Sequence, residues 1–491
     1  MQLLKNPGAL YIGGEWVNVD GREAVINPAD ESLIAEAPVG DATHVDAAVA
    51  AAYEAFTNGP WPRMSAQERQ KILGAFLDAI ERRKDWLIDL ITAEAGSIIS
   101  NSRGLLYGIT MKHARHTLSI MTRPAQTPLQ IELTPAADGT TVMGSSLISR
   151  EPVGVVAAIT PYNAPFLVNL GKIFPAMAVG CTVVLKPSNY TPFEALFLGE
   201  IADEVGLPKG VLNVVNGGVD VGTALTTDRR VDLVSFTGSD AVGAAIQAQT
   251  APTLKRLLME LGGKSALIVR PDADLNLAAA SGVGGFTVQC GQGCALLTRH
   301  IVHNSIRAEY VQKLKQIAEA VKVGSPTDPS TQMGPLIRDA ARARTERYVD
   351  IALSEGARLV TGGKRPDGLD RGFYYTPTLF DNVENSFRIA QEEVFGPIGV
   401  VVGYDTDEEA IRLANDSDFG LGGGVFSRDT GKAYQMALQI RAGGVTINGG
   451  AGTMTSDAPF GGIKRSGYGR EYGMMGLDEF TYAKTIAYRA F

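Results

Sequence analysis

The chain has 491 residues, with 45 Lys+Arg against 53 Asp+Glu for a net charge of -8, and it is 45% hydrophobic and 20% charged. That composition excludes collagen, coiled coil and intrinsic disorder, and at roughly 100–200 residues per domain it allows two to four domains. The acidic balance makes nucleic acid and anionic membrane poor partners in bulk. The three cysteines, Cys181, Cys290 and Cys294, are too few for a disulfide framework and fit a reducing compartment. No leader pattern opens Met1–Trp16, and no apolar stretch reaches the ~20 residues of a bilayer span. A cytoplasmic protein is expected.

In chain order, Tyr11-Ile-Gly-Gly-Glu-Trp16 alternates around a Gly-Gly turn, as a hairpin does. Ser65-Ala-Gln-Glu68 is a capping-box pattern, and Ile72, Leu73, Phe76, Leu77 and Ile80 follow at helical spacing, with Gly96 as a stop. From residue 150 short apolar runs take over: Val153–Ile159, Thr182–Leu185, Leu212–Val215 and Leu233–Phe236. Segments of helical length, 166–180, 193–205, 219–227 and 240–250, lie between or after them. Such alternation implies βαβ units and a parallel sheet, with ligands at the carboxyl ends of its strands. A second α/β set begins near Glu260, with strands at Ser265–Val269, Val400–Val402 and Gly444–Ile447 and helices at 306–322 and 336–355. A domain change is placed near 258. The polar segment 127–150 interrupts the first set, and it can pair with the extended end, Thr481–Phe491, in a small sheet used in association.

Four motifs carry chemistry, and each has a bland alternative. Glycines around Cys294 in Gly291-Gln-Gly-Cys294 let backbone approach a ligand and expose the thiol; a buried cysteine in a turn is the ordinary reading. No metal is expected: the spacing of Cys290 and Cys294 to His300 and His303 fits no zinc site. Glu260-Leu-Gly-Gly-Lys-Ser265 is not a P-loop, because Leu258 stands where its first glycine belongs; Glu260 is either a solvated carboxylate or a base in a cleft. In Phe236-Thr-Gly-Ser-Asp-Ala-Val-Gly243 a strand runs through a turn into a helix whose N-terminus can bind phosphate. Its glycines do not spell the dinucleotide fingerprint, so a simple turn competes equally. Lys186, in Lys186-Pro-Ser188, ends a strand where it can reach phosphate or ribose, or simply meet water.

These motifs occur in order with Thr160-Pro-Tyr-Asn-Ala-Pro165, Glu392-Glu-Val-Phe-Gly-Pro397 and Pro459-Phe-Gly-Gly-Ile-Lys464. The set resembles the aldehyde dehydrogenase superfamily, in its NAD(P)-dependent hydrolytic branch, over about residues 10 to 485. The resemblance implies an aldehyde substrate, NAD or NADP as cofactor, and oxidation to the acid through a cysteine thiohemiacetal and thioester. It implies Cys294 as nucleophile, Asn163 and the Cys294 backbone N–H as oxyanion donors, Glu260 as the base activating water, and Lys172 in proton relay. It places Thr160, Pro161, Lys186, Ser188, Asn189, Gly218, Gly238, Ser239, Gly243, Leu261, Glu393 and Phe395 on the cofactor. Lys186 and Glu393 hold the riboses, Phe395 packs by the nicotinamide ribose, and the glycines with Ser239 lie by the pyrophosphate. A homodimer or homotetramer is implied.

The implied fold is α/β in three parts. A Rossmann-like cofactor domain spans 1–126 and 151–257, with 456–477 returning to it; a catalytic α/β domain spans 258–455; an oligomerisation β element spans 127–150 and 478–491. Several positions depart from the family pattern: Gln289 for Asn, Tyr162 for Trp, and Asn189 for a Glu that binds the ribose and repels a 2′-phosphate. With that charge gone, NADP tolerance is expected beside NAD use. Ala164, Gly293 and Ala295 are small and suggest a roomy pocket for branched, aromatic or medium-chain aldehydes, unless Phe166, Leu167 or Met454 refill it. A CoA-acylating enzyme would need no Glu260, and a non-catalytic relative would tolerate loss of Cys294, Glu260 or Asn163; all three are present.

Overall fold

The computed structural model describes residues 4–450 and 455–489. Its first sheet has eight strands. Five are parallel and run in the spatial order Leu212–Val214, Thr182–Lys186, Val155–Ile159, Leu233–Thr237, Arg256–Glu260. In chain order that is 3-2-1-4-5, the doubly wound arrangement, with its switch point between Val155–Ile159 and Leu233–Thr237. Val155–Ile159, Thr182–Lys186 and Leu233–Thr237 are buried at every position, which is why they read as continuous apolar runs. Helices Ala66–Arg82, Pro165–Val179 and Phe193–Glu204 cover one face, burying Phe76, Phe174 and Phe197. On the other, Ala42–Thr57, Val219–Thr227 and Asp240–Thr250 bury Val49, Leu225 and Ile246.

The local signals hold. Gly13 and Gly14 take φ of 63° and 78° in the hairpin between Ala9–Ile12 and Glu15–Asn18, as a two-residue turn matched to strand twist demands. Ser65 and Glu68 form the capping box, and Gly96 ends helix Lys84–Ala95 in the left-handed conformation.

The chain leaves the first sheet only after Glu260, not at 258, because Arg256–Glu260 pairs in parallel with Leu233–Thr237. It returns at Gly467–Tyr468, which pairs antiparallel with Met259 and Glu260. The second sheet has seven strands in the order Arg358–Thr361, Thr378–Asp381, Ile398–Tyr404, Arg299–His303, Ala266–Val269, Gly422–Phe426, Gly444–Ile447; all but the first are parallel. A third, antiparallel sheet pairs Thr481–Arg489 with Thr141–Pro152 from Thr481↔Pro152 to Arg489↔Gly144. It leaves Leu133, Met143, Ile486 and Tyr488 exposed. Among the described residues no helix is long and apolar enough to cross a membrane.

Candidate active site

A cavity of about 520 Å³ lies between the first two sheets. From the carboxyl rim of the first come Pro161, Asn163, Gly238, Ser239 and Glu260; from segments preceding strands of the second come Cys294, Glu393 and Phe395. Residues separated by more than 200 positions thus share one chamber.

Cys294 sits just beyond a turn of unusual backbone. Gln289, Cys290 and Gly291 are consecutively left-handed, at φ of 52°, 54° and 73°. Non-glycine residues there cost of order 1–3 kcal/mol each unless the surroundings hold them, and two glutamines do. Gln289 Nε2 donates to Asn163 O at 3.1 Å, and its Oε1 accepts from Ser97 Oγ at 2.8 Å. Gln292 Nε2 donates to Gln289 O at 3.0 Å, and its Oε1 accepts from Ile337 N at 3.1 Å. A side chain at 291 is impossible: its Cβ would lie 2.1 Å from Gly396 O. Cys290 is buried within this turn, and the left-handed backbone at Gln289 and Cys290 keeps it from stacking one helical turn before Cys294. Asn163 Nδ2 donates to Gln292 O at 3.0 Å, which sets the amide beside the cysteine turn.

The charges crowd. Burial first, then the charge on Glu471, holds the Glu260 carboxyl well above the usual carboxylate range, against the pull of Lys172 and of a hydrogen bond with Cys294. Burial, then Glu260 and Glu393, likewise keeps the Cys294 thiol well above its ordinary value. Neither Glu260 oxygen has a hydrogen bond of good geometry, so the Cys294 contact is a loose one. Lys172 is fully buried behind the cavity, where Nζ bonds Glu471 Oε1 at 2.6 Å and Ser235 Oγ at 3.1 Å. Glu471 itself lines the cavity.

On the cofactor side, Ser239 caps helix Asp240–Thr250, its Oγ accepting from Val242 N at 3.4 Å. Gly243 packs so closely that a Cβ would meet Leu261 at 2.7 Å. Gly218 caps helix Val219–Thr227 without a side-chain bond. Glu393 Oε1 accepts from Gly263 N at 3.0 Å, while burial pushes its carboxyl up to about 7. Lys186 is buried rather than solvated; burial lowers its amine to about 8, and Nζ donates to Pro187 O at 3.0 Å. Thr160 is turned inward, Oγ1 on Asn169 Oδ1 at 2.6 Å, and Ser188 Oγ holds Tyr190 N at 3.3 Å.

Of the pocket positions, Tyr162, Ala164, Leu167, Gly293 and Ala295 line the cavity. Phe166 does not refill it: it is buried in the first sheet's core, stacked on Tyr107. Met454 lies outside the described residues. Sequence reasoning missed Glu471, Tyr472, Arg338 and Arg344, and also the π-helical segment Ser102–Ile109, whose Leu105, Leu106 and Ile109 form an apolar wall.

The profile of the aldehyde dehydrogenase family matches residues 16–486. An aldehyde dehydrogenase of Mycobacterium tuberculosis, solved with NAD+, is 41% identical; the match covers 98% of this chain and 97% of that one, at a TM-score of 0.92. Aldehyde dehydrogenase C of Pseudomonas syringae, solved as a cysteine-to-alanine variant with NAD+ and octanal, is 39% identical over 98% and 96% of the chains, at 0.92. Betaine aldehyde dehydrogenase of Staphylococcus aureus, solved with NAD+, is 37% identical over 98% and 95%, at 0.93. The chain belongs to the aldehyde dehydrogenase family. It is an NAD(P)-dependent oxidoreductase that converts an aldehyde to its carboxylic acid.

Proposed function

We propose that Cys294 is the nucleophile, Glu260 the general base, and Asn163 with the Cys294 backbone N–H the oxyanion donors. The observation that carries this is the meeting of thiol, carboxyl and amide in one buried chamber at the rim of the doubly wound sheet. The residues present also fit a dinucleotide. The first turn of helix Asp240–Thr250 presents backbone N–H groups, of which Ser239 caps that of Val242, Gly238 brings no side chain to that turn, and one Glu393 oxygen stays open beside the cavity. NAD(P), when bound, supplies the acceptor for the aldehyde hydrogen.

The thiol is protonated at rest, so its proton must first leave to solvent water in the cavity, with the Glu260 carboxylate kept for the later step. The sulfur then adds to the carbonyl carbon, and the oxygen gathers charge against Asn163 Nδ2 and the Cys294 N–H. Loss of hydride leaves a thioester on Cys294. Glu260 next takes a proton from water, whose oxygen attacks the thioester and releases the acid and the thiolate. The Lys172–Glu471 pair borders Glu260 and can carry the proton onward.

Leu105, Leu106, Ile109, Leu167, Val288 and Phe460 make much of the cavity wall apolar. An uncharged medium-chain or aromatic aldehyde fits it, and the octanal bound by the Pseudomonas syringae relative supports that class. The exposed apolar side chains of the third sheet suit a homodimer or homotetramer, and the three cysteines suit the cytoplasm. The test is a panel of aliphatic, aromatic and charged aldehydes, with and without CoA, read by reduced nicotinamide absorbance. The expected result is oxidation of apolar aldehydes without CoA; a strict CoA requirement overturns the role of Glu260.

A further inference from the structure

Doubly wound dinucleotide folds place a carboxylate past the end of the second parallel strand, where it holds the adenosine ribose hydroxyls and repels a 2′-phosphate. Here that strand is Thr182–Lys186. The next three residues, Pro187-Ser-Asn189, include no acid, which is the ground for expecting NADP to be tolerated. The structure fills the gap from elsewhere. Strand Gly21–Ile26 carries Glu23 to this rim, and Asn189 Nδ2 donates to Glu23 Oε2 at 2.7 Å across 166 residues of sequence. A carboxylate can only accept hydrogen bonds, so the amide's nitrogen must face it. The charge on Glu23 also acts on the Lys186 amine. Lys186 Nζ has one fixed bond, to Pro187 O, and keeps donors for ribose hydroxyls.

Resting on the reading of Lys186 and Asn189 as cofactor residues, we infer that Glu23 is the residue that selects NAD over NADP. The acid has moved from the strand end to a neighbouring hairpin, and Asn189 positions it. One Glu23 oxygen is taken by Asn189; the other remains for a ribose hydroxyl. A 2′-phosphate would bring a second negative charge against Glu23, and the Lys186 charge that could attract it is already offset by that carboxylate. Like charges at ~4 Å repel at a partly buried site and are screened towards water, so discrimination of roughly ten- to a hundredfold is expected.

The experiment measures NAD+ and NADP+ binding by calorimetry, and kcat/KM for both with an apolar aldehyde, in the parent, Glu23→Gln, and Glu23→Gln/Asn189→Glu. The parent should prefer NAD by at least tenfold in both readouts. Glu23→Gln should tighten NADP+ by about tenfold and weaken NAD+ by a few-fold, because glutamine can still accept from Asn189 but has no second oxygen to accept from the ribose hydroxyl. The double variant, with the acid returned to the strand end, should regain the preference for NAD. The preference should also weaken at high salt. A parent that binds both cofactors equally, or a preference unchanged by Glu23→Gln, overturns the inference. Absence of aldehyde turnover alongside the expected binding shifts would instead sink the catalytic reading and uphold the role of Glu23.

Discussion

The first two sheets are both built mainly of parallel strands, in different orders, and they use opposite edges. The first obeys the usual rule: Pro161, Asn163, Gly238, Ser239 and Glu260 all follow or end strands at its carboxyl rim. The second turns its amino rim to the cavity. Cys294 precedes Arg299–His303, and Glu393 and Phe395 precede Ile398–Tyr404. Its carboxyl rim is closed by its own polar groups. Arg270 bonds both Asp407 oxygens at 3.1 Å, and Ser427 Oγ at 2.9 Å. Ser427 and Asn448 exchange two further bonds, at 3.0 and 2.9 Å. The rim that binds ligand keeps polar atoms unpaired, as Glu260 does; the rim that only stabilises spends its polar atoms on each other. Strand direction alone therefore does not say which edge of a sheet faces the ligand.

The sharpest break of this comparison is removal of the thiol on the second sheet's amino rim. Cys294→Ala should lower turnover by ~10⁴-fold or more, as loss of a nucleophile does, with NAD+ affinity little changed because the variant removes none of the groups proposed to hold the cofactor. Retained turnover in that variant would show that the amino rim is not where chemistry occurs. Cys290→Ala, one turn of strained backbone away, should keep most activity. In the parent, alkylation at neutral pH should be slow and confined to Cys294: its thiol is held protonated, and Cys181 and Cys290 are buried.

Asn163 and Glu260 stand for the first sheet. Asn163→Ala should cost ~10²–10³ in kcat, the usual effect of one oxyanion donor, and an unchanged chemical step would remove it from that role. Glu260→Gln should leave a burst of reduced cofactor followed by slow turnover, since an amide cannot take the proton of water. Loss of the burst would move Glu260 to thiol activation. The pH dependence carries a sign. The Glu260 carboxyl lies well above the usual carboxylate range, chiefly through burial, so it is protonated at acidic pH and gains base function as pH rises. Deacylation should therefore climb with pH above the ordinary carboxylate range in the parent and lose that limb in Glu260→Gln.

Legibility followed the same division. The first sheet was readable because strands buried on both faces must be apolar throughout, and Leu233–Thr237 is buried at every position. Its helices announce themselves through caps such as Ser65 and Glu68. The amino rim of the second sheet was not readable from pattern. Cys294 in a glycine turn resembles any buried cysteine, and only its place in an ordered set of motifs marked it. Glu471 follows a glycine-rich turn like any solvated acid; what distinguishes it is Lys172, 299 residues earlier. Glu23 lies in an exposed-looking strand, and nothing local says that it meets Asn189. Contacts closed over such separations leave no periodicity to detect.

The smallest effect on activity is expected at the closed rim. Arg270 is almost fully buried, and it also reaches Asp272 Oδ1 at 3.1 Å. Arg270→Met preserves the length of the side chain but leaves Asp407 and Ser427 without their shared donor. Removing one member of a buried network strands the others, a cost of ~1–3 kcal/mol, at the low end here because Asp272 and Asp407 still reach water. For a structure of this size a loss of that order moves Tm by a few degrees. Ala266–Val269, which leads into Arg270, has Arg299–His303 beside it, and the cavity is built from the far ends of both strands. The turn that carries Cys294 is held from elsewhere, by Gln289 and Gln292. Arg270→Met should thus lower thermal stability while kcat and KM of the folded enzyme stay within about twofold of the parent, well under 1 kcal/mol of transition-state energy. Calorimetry beside steady-state kinetics reads both. A large fall in kcat without a fall in Tm would mean that the two rims are coupled through the strands, and that the closed edge contributes to the chemistry of the open one.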